Sequence, residues 1–315
     1  MVSVRTPSPS EEEGAGGEVE RGTLAFFPYS AYPNPARNSR VATQEKVPMH
    51  MATPRSPQER IIIALNCTQP EAIATSRDVA RLLKRFVGGF LIRGRMGDQT
   101  EIKAMQRSLR RLGLPVFLDV THATPDPDEA LQRARTVVKE TTAQLFAFPL
   151  WHDVRTLTLA AGLSFSCQML GIPLPDSCQD DDACVKRFGD GYDAILMRHI
   201  RRFALLGGKI VLCNAKDIAL LKRDPELRRI EKERGSDVLY MASGANDFFP
   251  HPRRQDELPR ISPNKAMQAG SELLVYSIQD LDAAGGDPIV LVDHLIQVIE
   301  EVHPSLHIRA AAQIL

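Results

Sequence analysis

Short, continuous apolar runs alternate with amphipathic stretches along most of this chain. Ile61-Ile62-Ile63-Ala64-Leu65 opens the series. A β-branched run of this length predicts a strand buried on both faces, as in a parallel sheet. Ile73, Val79, Leu82, Leu83 and Phe86 then recur at three- and four-residue spacings, the period of a helix with one apolar face. Phe90-Leu91-Ile92 is a second strand. Ile102, Met105, Leu109 and Leu112 mark a helix that closes at Gly113, a good C-terminal glycine. Pro115 to Val120 predicts the third strand, residues 126 to 140 a helix, and Leu145 to Phe148 the fourth strand. The fifth is placed near Leu163 to Met169. A long helix through Ala194, Ile195, Met197, Ile200, Phe203 and Leu206 ends at Gly207-Gly208, just before a sixth strand at Lys209 to Cys213. Asp237 to Met241 is the seventh. Ser262 caps a helix with Pro263 at its first position, a preferred pairing. Leu273 to Tyr276 is the eighth strand, and Ile289, Leu291, Val292, Leu295, Val298 and Ile299 outline the last helix.

Strands alternating with helices give a parallel barrel or a doubly wound sheet. Eight such units in about 250 residues favour the α/β class with a single (β/α)8 TIM barrel. The barrel is expected over residues 58–315, after an extension over residues 1–57. That extension is rich in Pro, Ser and Gly, carries Glu11-Glu12-Glu13, and has no sustained period, which is the composition of a disordered segment. Its aromatic piece, Phe26-Phe27-Pro28-Tyr29, is read as part of a mobile tail. Met49 and Met51 stand just before the body and are candidate natural starts. The early acidic cluster is a poor match to a mitochondrial presequence.

Composition narrows the classes. The hydrophobic fraction of 43% is ordinary for a soluble domain. Lys plus Arg and Asp plus Glu are both 39, so the formal net charge is zero. A general nucleic-acid or membrane-surface binder would carry a basic excess. A balanced charge favours self-association. No apolar run approaches the roughly 18 residues needed to cross a bilayer, and no secretory signal opens the chain. The five cysteines, Cys67, Cys167, Cys178, Cys184 and Cys213, form no CxxC pair. A reducing, cytoplasmic setting is expected, with Cys67, Cys167 and Cys213 as small core residues. Cys178 and Cys184 flank an acidic run that is read as a solvated loop rather than a metal site. No cofactor or metal is called for.

Several stretches together resemble the orotidine 5′-monophosphate decarboxylase family, mainly its bacterial form. Ile61 to Asn66 resembles the family's first strand, which ends Ala-Leu-Asp. Val116-Phe117-Leu118-Asp119-Val120 resembles its Val-Phe-Leu-Asp-Leu strand. Arg260 to Ala266, followed by Ala269 to Val275, resembles its Arg-Val-x-Thr-Pro-x-x-Ala and Ala-Gly-Ala-Asp-x-Leu-Val-Val run. Val211 to Ala215 resembles its Val-Val-Cys-Ser stretch more loosely. The matches fall in the expected order from residue 61 to about residue 300. The resemblance implies a lyase-type barrel of pyrimidine metabolism. It also implies pairing through the catalytic faces, as a homodimer or as a heteromer with a related barrel.

The departures concentrate where that family does its chemistry. The strand-one Asp is Asn66. The strand-two Lys falls at Ile92, two residues before Gly94. The Asp-x-Lys-x-x-Asp signature reads Asp119-Val120-Thr121-His122-Ala123-Thr124, so only Asp119 is retained and Thr121 and Thr124 replace charged residues. The loop after strand seven reads Ser243-Gly244-Ala245-Asn246 in place of Pro-Gly-Ile-Arg. The phosphate-binding Gly-Arg after strand eight reads Ser277-Ile278. Decarboxylation at such a site leaves a carbanion-like carbon, and an ammonium must stabilise it and then deliver a proton. Thr121 carries no charge and is a very poor acid near neutral pH. Losing the Arg removes a charge-assisted partner for a phosphate.

The leading reading is a catalytically degenerate barrel of this type, retained as a binding or assembly subunit. A second reading is a divergent decarboxylase or lyase acting on a nucleotide or sugar phosphate through Asp119, His122 and loop arginines such as Arg253 and Arg254. Asp119 and His122 are its candidate acid and base, although a structural Asp bonding loop amides and a surface His are the simpler account. A third reading, true decarboxylase activity through an unrecognised lysine, has poor candidates, since Lys103 and Lys265 fall inside predicted helices. By strand alternation Arg93 points opposite to Ile92 and is read, like Arg95, as a salt-bridged surface residue. Trp151-His152, after strand four, is read as a packed loop pair. Arg223 to Arg234 reads as a mixed-charge, solvated helix face.

Overall fold

The computed structural model describes residues 56–66, 70–93, 99–119, 126–140, 145–163, 167–175, 177–178, 180–245, 261–277 and 288–312. Every described residue belongs to one compact unit. The expected extension, apart from Ser56 and Pro57, lies outside the described residues.

Eight parallel strands close into a barrel in sequence order: β1 (Ile61–Asn66), β2 (Gly89–Arg93), β3 (Val116–Asp119), β4 (Leu145–Pro149), β5 (Gln168–Ile172), β6 (Ile210–Asn214), β7 (Leu239–Ser243) and β8 (Leu273–Ser277). Closure comes from β8 lying beside β1, with Ile61 opposite Leu274 and Ile63 opposite Tyr276. The helices between them are α1 (Pro70–Leu83), α2 (Gln99–Arg110), α3 (Pro127–Glu140), α4 (Val154–Gly162), α5 (Asp181–Phe188) and α6 (Tyr192–Leu205). They continue with α7 (Ile218–Arg223), α8 (Pro225–Arg234), α9 (Pro263–Ala269) and α10 (Pro288–Ala312). The fold is a (β/α)8 TIM barrel, as the alternation of apolar runs and amphipathic stretches predicts.

Strand alternation sorts the apolar residues into two layers. Ile62, Leu91, Phe117, Ala147, Leu170 and Leu212 fill the barrel interior. Their neighbours Ile63, Ile92, Leu118, Phe148 and Val211 turn outward and pack beneath the helices. This is why the strands read as continuous apolar runs: both faces are buried. Each fully buried aliphatic side chain contributes about 1.5–3 kcal/mol relative to exposure.

Local chemistry sets the element ends. The Ser262 hydroxyl accepts from the Lys265 backbone N–H, Pro263 opens α9, and Gly270 closes it in the left-handed region at φ 113°. Asp224 caps α8 by accepting from the Glu226 and Leu227 backbones. Gly88 is required by close approach, because a Cβ there would lie 2.1 Å from the Glu59 carbonyl oxygen.

Three expectations need correction. The fifth strand is Gln168–Ile172, not Leu163 to Met169, because Leu163 caps the C-terminus of α4. The seventh runs Leu239–Ser243, two residues later than expected. The acidic run between Cys178 and Cys184 is not a solvated loop throughout. Asp180 accepts from the Ala183 N–H at 2.8 Å and starts α5, and both cysteines are buried. Burial lifts the Cys184 thiol to about 11, so it stays protonated. Cys167 and Cys213 are buried as expected, and Cys67 lies outside the described residues. No cluster of metal-ligating side chains occurs among the described residues.

Candidate functional site

The C-terminal ends of the strands form the barrel mouth, where enzymes of this architecture place their chemistry. Strand register aligns Asn66 with Arg93 and Arg93 with Asp119. Asn214 stands opposite Ser243 on the other side. Arg93 and Asp119 lie two residues beyond the interior residues Leu91 and Phe117, so both enter the mouth. Asp119 is 1% exposed, and the Arg93 Nε lies 3.3 Å from its Oδ2 as an ion pair.

This corrects the reading of strand two. Arg93 is ion-paired, as expected, but it faces the mouth rather than the outer surface. Ile92, the position matched to the lost lysine, is fully buried in the outer layer beneath the helices. The inward position at this strand end therefore carries a guanidinium.

Arg93 and Asp119 form one wall of a cavity of about 130 Å³. The opposite wall comes from the Ile172-Pro173-Leu174-Pro175 segment, α6 and the turn after β6. There the Tyr192 hydroxyl donates to Asp217 Oδ2 at 2.7 Å, and the Lys216 ammonium sits over the Tyr192 ring at 4.6 Å from its centre. Burial pushes the Asp217 carboxyl above the usual carboxylate range, opposed by the Tyr192 bond and by Lys216. Burial also raises the Tyr192 phenol. Asn214 and Ser243 stand between the walls. The Asn214 Oδ1 accepts from the Lys216 backbone, and the Ser243 hydroxyl donates to the Cys213 carbonyl at 3.3 Å. Gly244 sits at φ 74°, and a Cβ there would come within 2.9 Å of the Asn214 amide nitrogen.

Helix α6 holds the rim. His199 Nδ1 donates to the Pro173 carbonyl at 2.7 Å after β5, and an Arg202 terminal nitrogen donates to the His152 and Leu150 carbonyls after β4. Burial holds the His199 imidazole down at about 4, so it is neutral. His152 is buried edge-on to Phe148, and Trp151 packs against the interior layer, as a packed loop pair should.

Among the sequence candidates, the structure brings Arg93, Asp119 and Ser243 to one cavity. Gly244 follows at the end of β7, and Ser277 ends β8 beside Ala64. Asn66 ends β1. Thr121, His122, Thr124, Asn246 and Ile278 lie outside the described residues, as do Arg95, Arg253 and Arg254. Lys103 and Lys265 lie on α2 and α9, as expected. Sequence reading missed Tyr192, Asp217, His199 and Arg202. Asp217 stands three residues past a strand end, which was a usable signal; the three on α6 are masked by its ordinary helical period.

No family model matches the chain, and no curated protein matches it in sequence. Solved structures do. An uncharacterized conserved protein from Geobacillus kaustophilus aligns with a TM-score of 0.49 at 17% identity, covering 76% of this chain and 99% of that one. Orotidine 5′-phosphate decarboxylase from Lactobacillus acidophilus aligns with a TM-score of 0.51 at 15% identity, covering 77% of this chain and 98% of that one. In its fold, this chain is a (β/α)8 barrel similar to that of orotidine 5′-phosphate decarboxylase.

Proposed function

We propose that this barrel does not decarboxylate orotidine 5′-monophosphate and serves as a binding or assembly subunit that takes a small polar ligand at its mouth. The observation that carries the reading is the Arg93–Asp119 pair. A guanidinium stays protonated at every physiological pH, so it is a poor proton donor to a carbanion. Here it is also held against the carboxylate that the resemblance would assign to the catalytic signature. The nearest inward-facing group at this strand end is thus a fixed charge rather than an acid. The sequence supports the same view, with Thr121 at the position matched to the catalytic lysine and Ser277-Ile278 at the phosphate position.

The cavity favours binding over simple decay. A degenerate mouth that had lost all function would be free to fill with apolar side chains. This one keeps Arg93, Asp119, Asn214, Asp217 and Ser243 around open space. Purified protein given orotidine 5′-monophosphate is expected to release no product above background, and turnover on the scale of working enzymes would sink the proposal. The same preparation on a sizing column with light scattering reads the assembly half. A dimer supports pairing through the mouth, and a monomer at micromolar concentration removes it.

A further inference from the structure

Two charged residues on facing walls of the mouth cavity, Asp217 and Arg93, differ in exposure as well as in charge. Asp217 is 5% exposed and lines one wall. Its Oδ2 accepts from the Tyr192 hydroxyl, and the residue lines the cavity. The Arg93 side chain is 39% exposed and lines the facing wall. Its Nε faces Asp119 as an ion pair at 3.3 Å, and this pair engages neither of its two terminal nitrogens. A guanidinium in this state presents the fork that a carboxylate fits bidentately. The Lys216 ammonium, whose charge acts on Asp217, sits over the Tyr192 ring and does not line the cavity. One wall of the cavity thus carries the buried Asp217 carboxyl, and the other carries the more exposed Arg93 guanidinium beside Asp119.

We propose that the cavity binds an amino-acid-like zwitterion, with its ammonium on Asp217 and its carboxylate on Arg93. Asn214 supplies the intermediate contact, because its Oδ1 is already used by the Lys216 backbone and only its amide nitrogen remains to donate. Ser243 offers a hydroxyl oxygen as a second acceptor for the ammonium, its proton being committed to the Cys213 carbonyl. The arrangement disfavours a lone anion, because the cavity lining carries two carboxyls, Asp119 and Asp217, against the single Arg93 guanidinium, and only a ligand with its own ammonium offsets that excess. It favours an ammonium on Asp217, because the ion supplies the neighbouring charge that burial denies this carboxyl. The inference rests on the reading of the mouth as a binding site and names the class of its ligand.

The test is a length series of probes: glycine, β-alanine, γ-aminobutyrate and δ-aminovalerate, against butylamine and butyrate, read by calorimetry and thermal shift near neutral pH. One member of the series should bind roughly tenfold or more tightly than either single-charge probe, since it makes both charge-assisted contacts at once. Asp217→Asn keeps an acceptor for Tyr192 and should weaken that member by about tenfold while butyrate is unaffected. Arg93→Gln, at the exposed rim, should weaken it without changing butylamine. Butyrate binding as tightly as the zwitterions, no probe binding at all, or a folded Asp217→Asn protein with unchanged affinities would each overturn the inference. If no zwitterion binds and orotidine 5′-monophosphate is still not turned over, only this inference falls. If orotidine 5′-monophosphate is turned over, the reading of inactivity falls whatever the probes do.

Discussion

At the scale of single residues, the mouth is ruled by buried groups whose charge the fold controls. His199 shows this most directly. It is 4% exposed, burial holds it at about 4, and the Arg202 and Arg198 charges push the same way. An unfolded histidine titrates near 6.5, so between about 6.5 and about 4 the unfolded chain binds a proton that the native one refuses. Stability is therefore complete above this window and declines as pH falls through it, by a total on the order of 3 kcal/mol. Asp153 and Asp224 are held below the carboxylate range by bonds to Thr156 and Arg201, so their contribution is lost only at lower pH. Denaturant midpoints measured from pH 7 to pH 4 should fall steadily in the native protein and much less in His199→Asn. Parallel profiles for the two proteins would show that His199 is not the titrating group.

At the scale of elements, what was legible in the sequence follows from burial. β1, β3 and β8 are apolar at nearly every position because both faces are covered, so Ile61, Val116 and Leu273 announced them. β5 was not legible. It begins at Gln168 and contains Gly171, where a Cβ would come within 2.8 Å of Leu150 and 3.1 Å of Phe203. Close packing removed the side chain that would have marked the strand. The same limit explains Ile92 and Arg93. Matching residues to a motif placed the lost lysine one position away from the inward one, and in a strand one position exchanges the two faces. The pairing of Tyr192 with Asp217 was out of reach, since 25 residues separate them and only the barrel joins them. Element ends carry predictions of their own. Gly88→Ala forces a Cβ onto the Glu59 backbone, which has no flexible end to move aside. We expect a loss of more than about 2 kcal/mol, read by chemical unfolding. A wild-type midpoint would mean that the turn before β2 yields easily.

At the scale of the whole molecule, closure of the barrel depends on β8 meeting β1. Arg60, 6% exposed and immediately before β1, donates to the Glu272 carbonyl at 3.2 Å and to its carboxylate at 3.3 Å. The clasp joins residues 212 positions apart at the base of the seam. Arg60→Met keeps the aliphatic stem and should cost about 2 kcal/mol, the usual worth of hydrogen bonds to a charged group. An unchanged unfolding midpoint would assign closure to the strand pairing alone. Helix α6 ties the mouth to the outer layer in a different way. One rigid rod supplies Tyr192 to the cavity wall and grips the segments after β4 and β5 through Arg202 and His199. Those three attachments cannot shift independently. Any partner that pressed on the outer face of α6 would therefore move one whole quadrant of the rim as a plate, widening or narrowing the opening without touching the residues inside it.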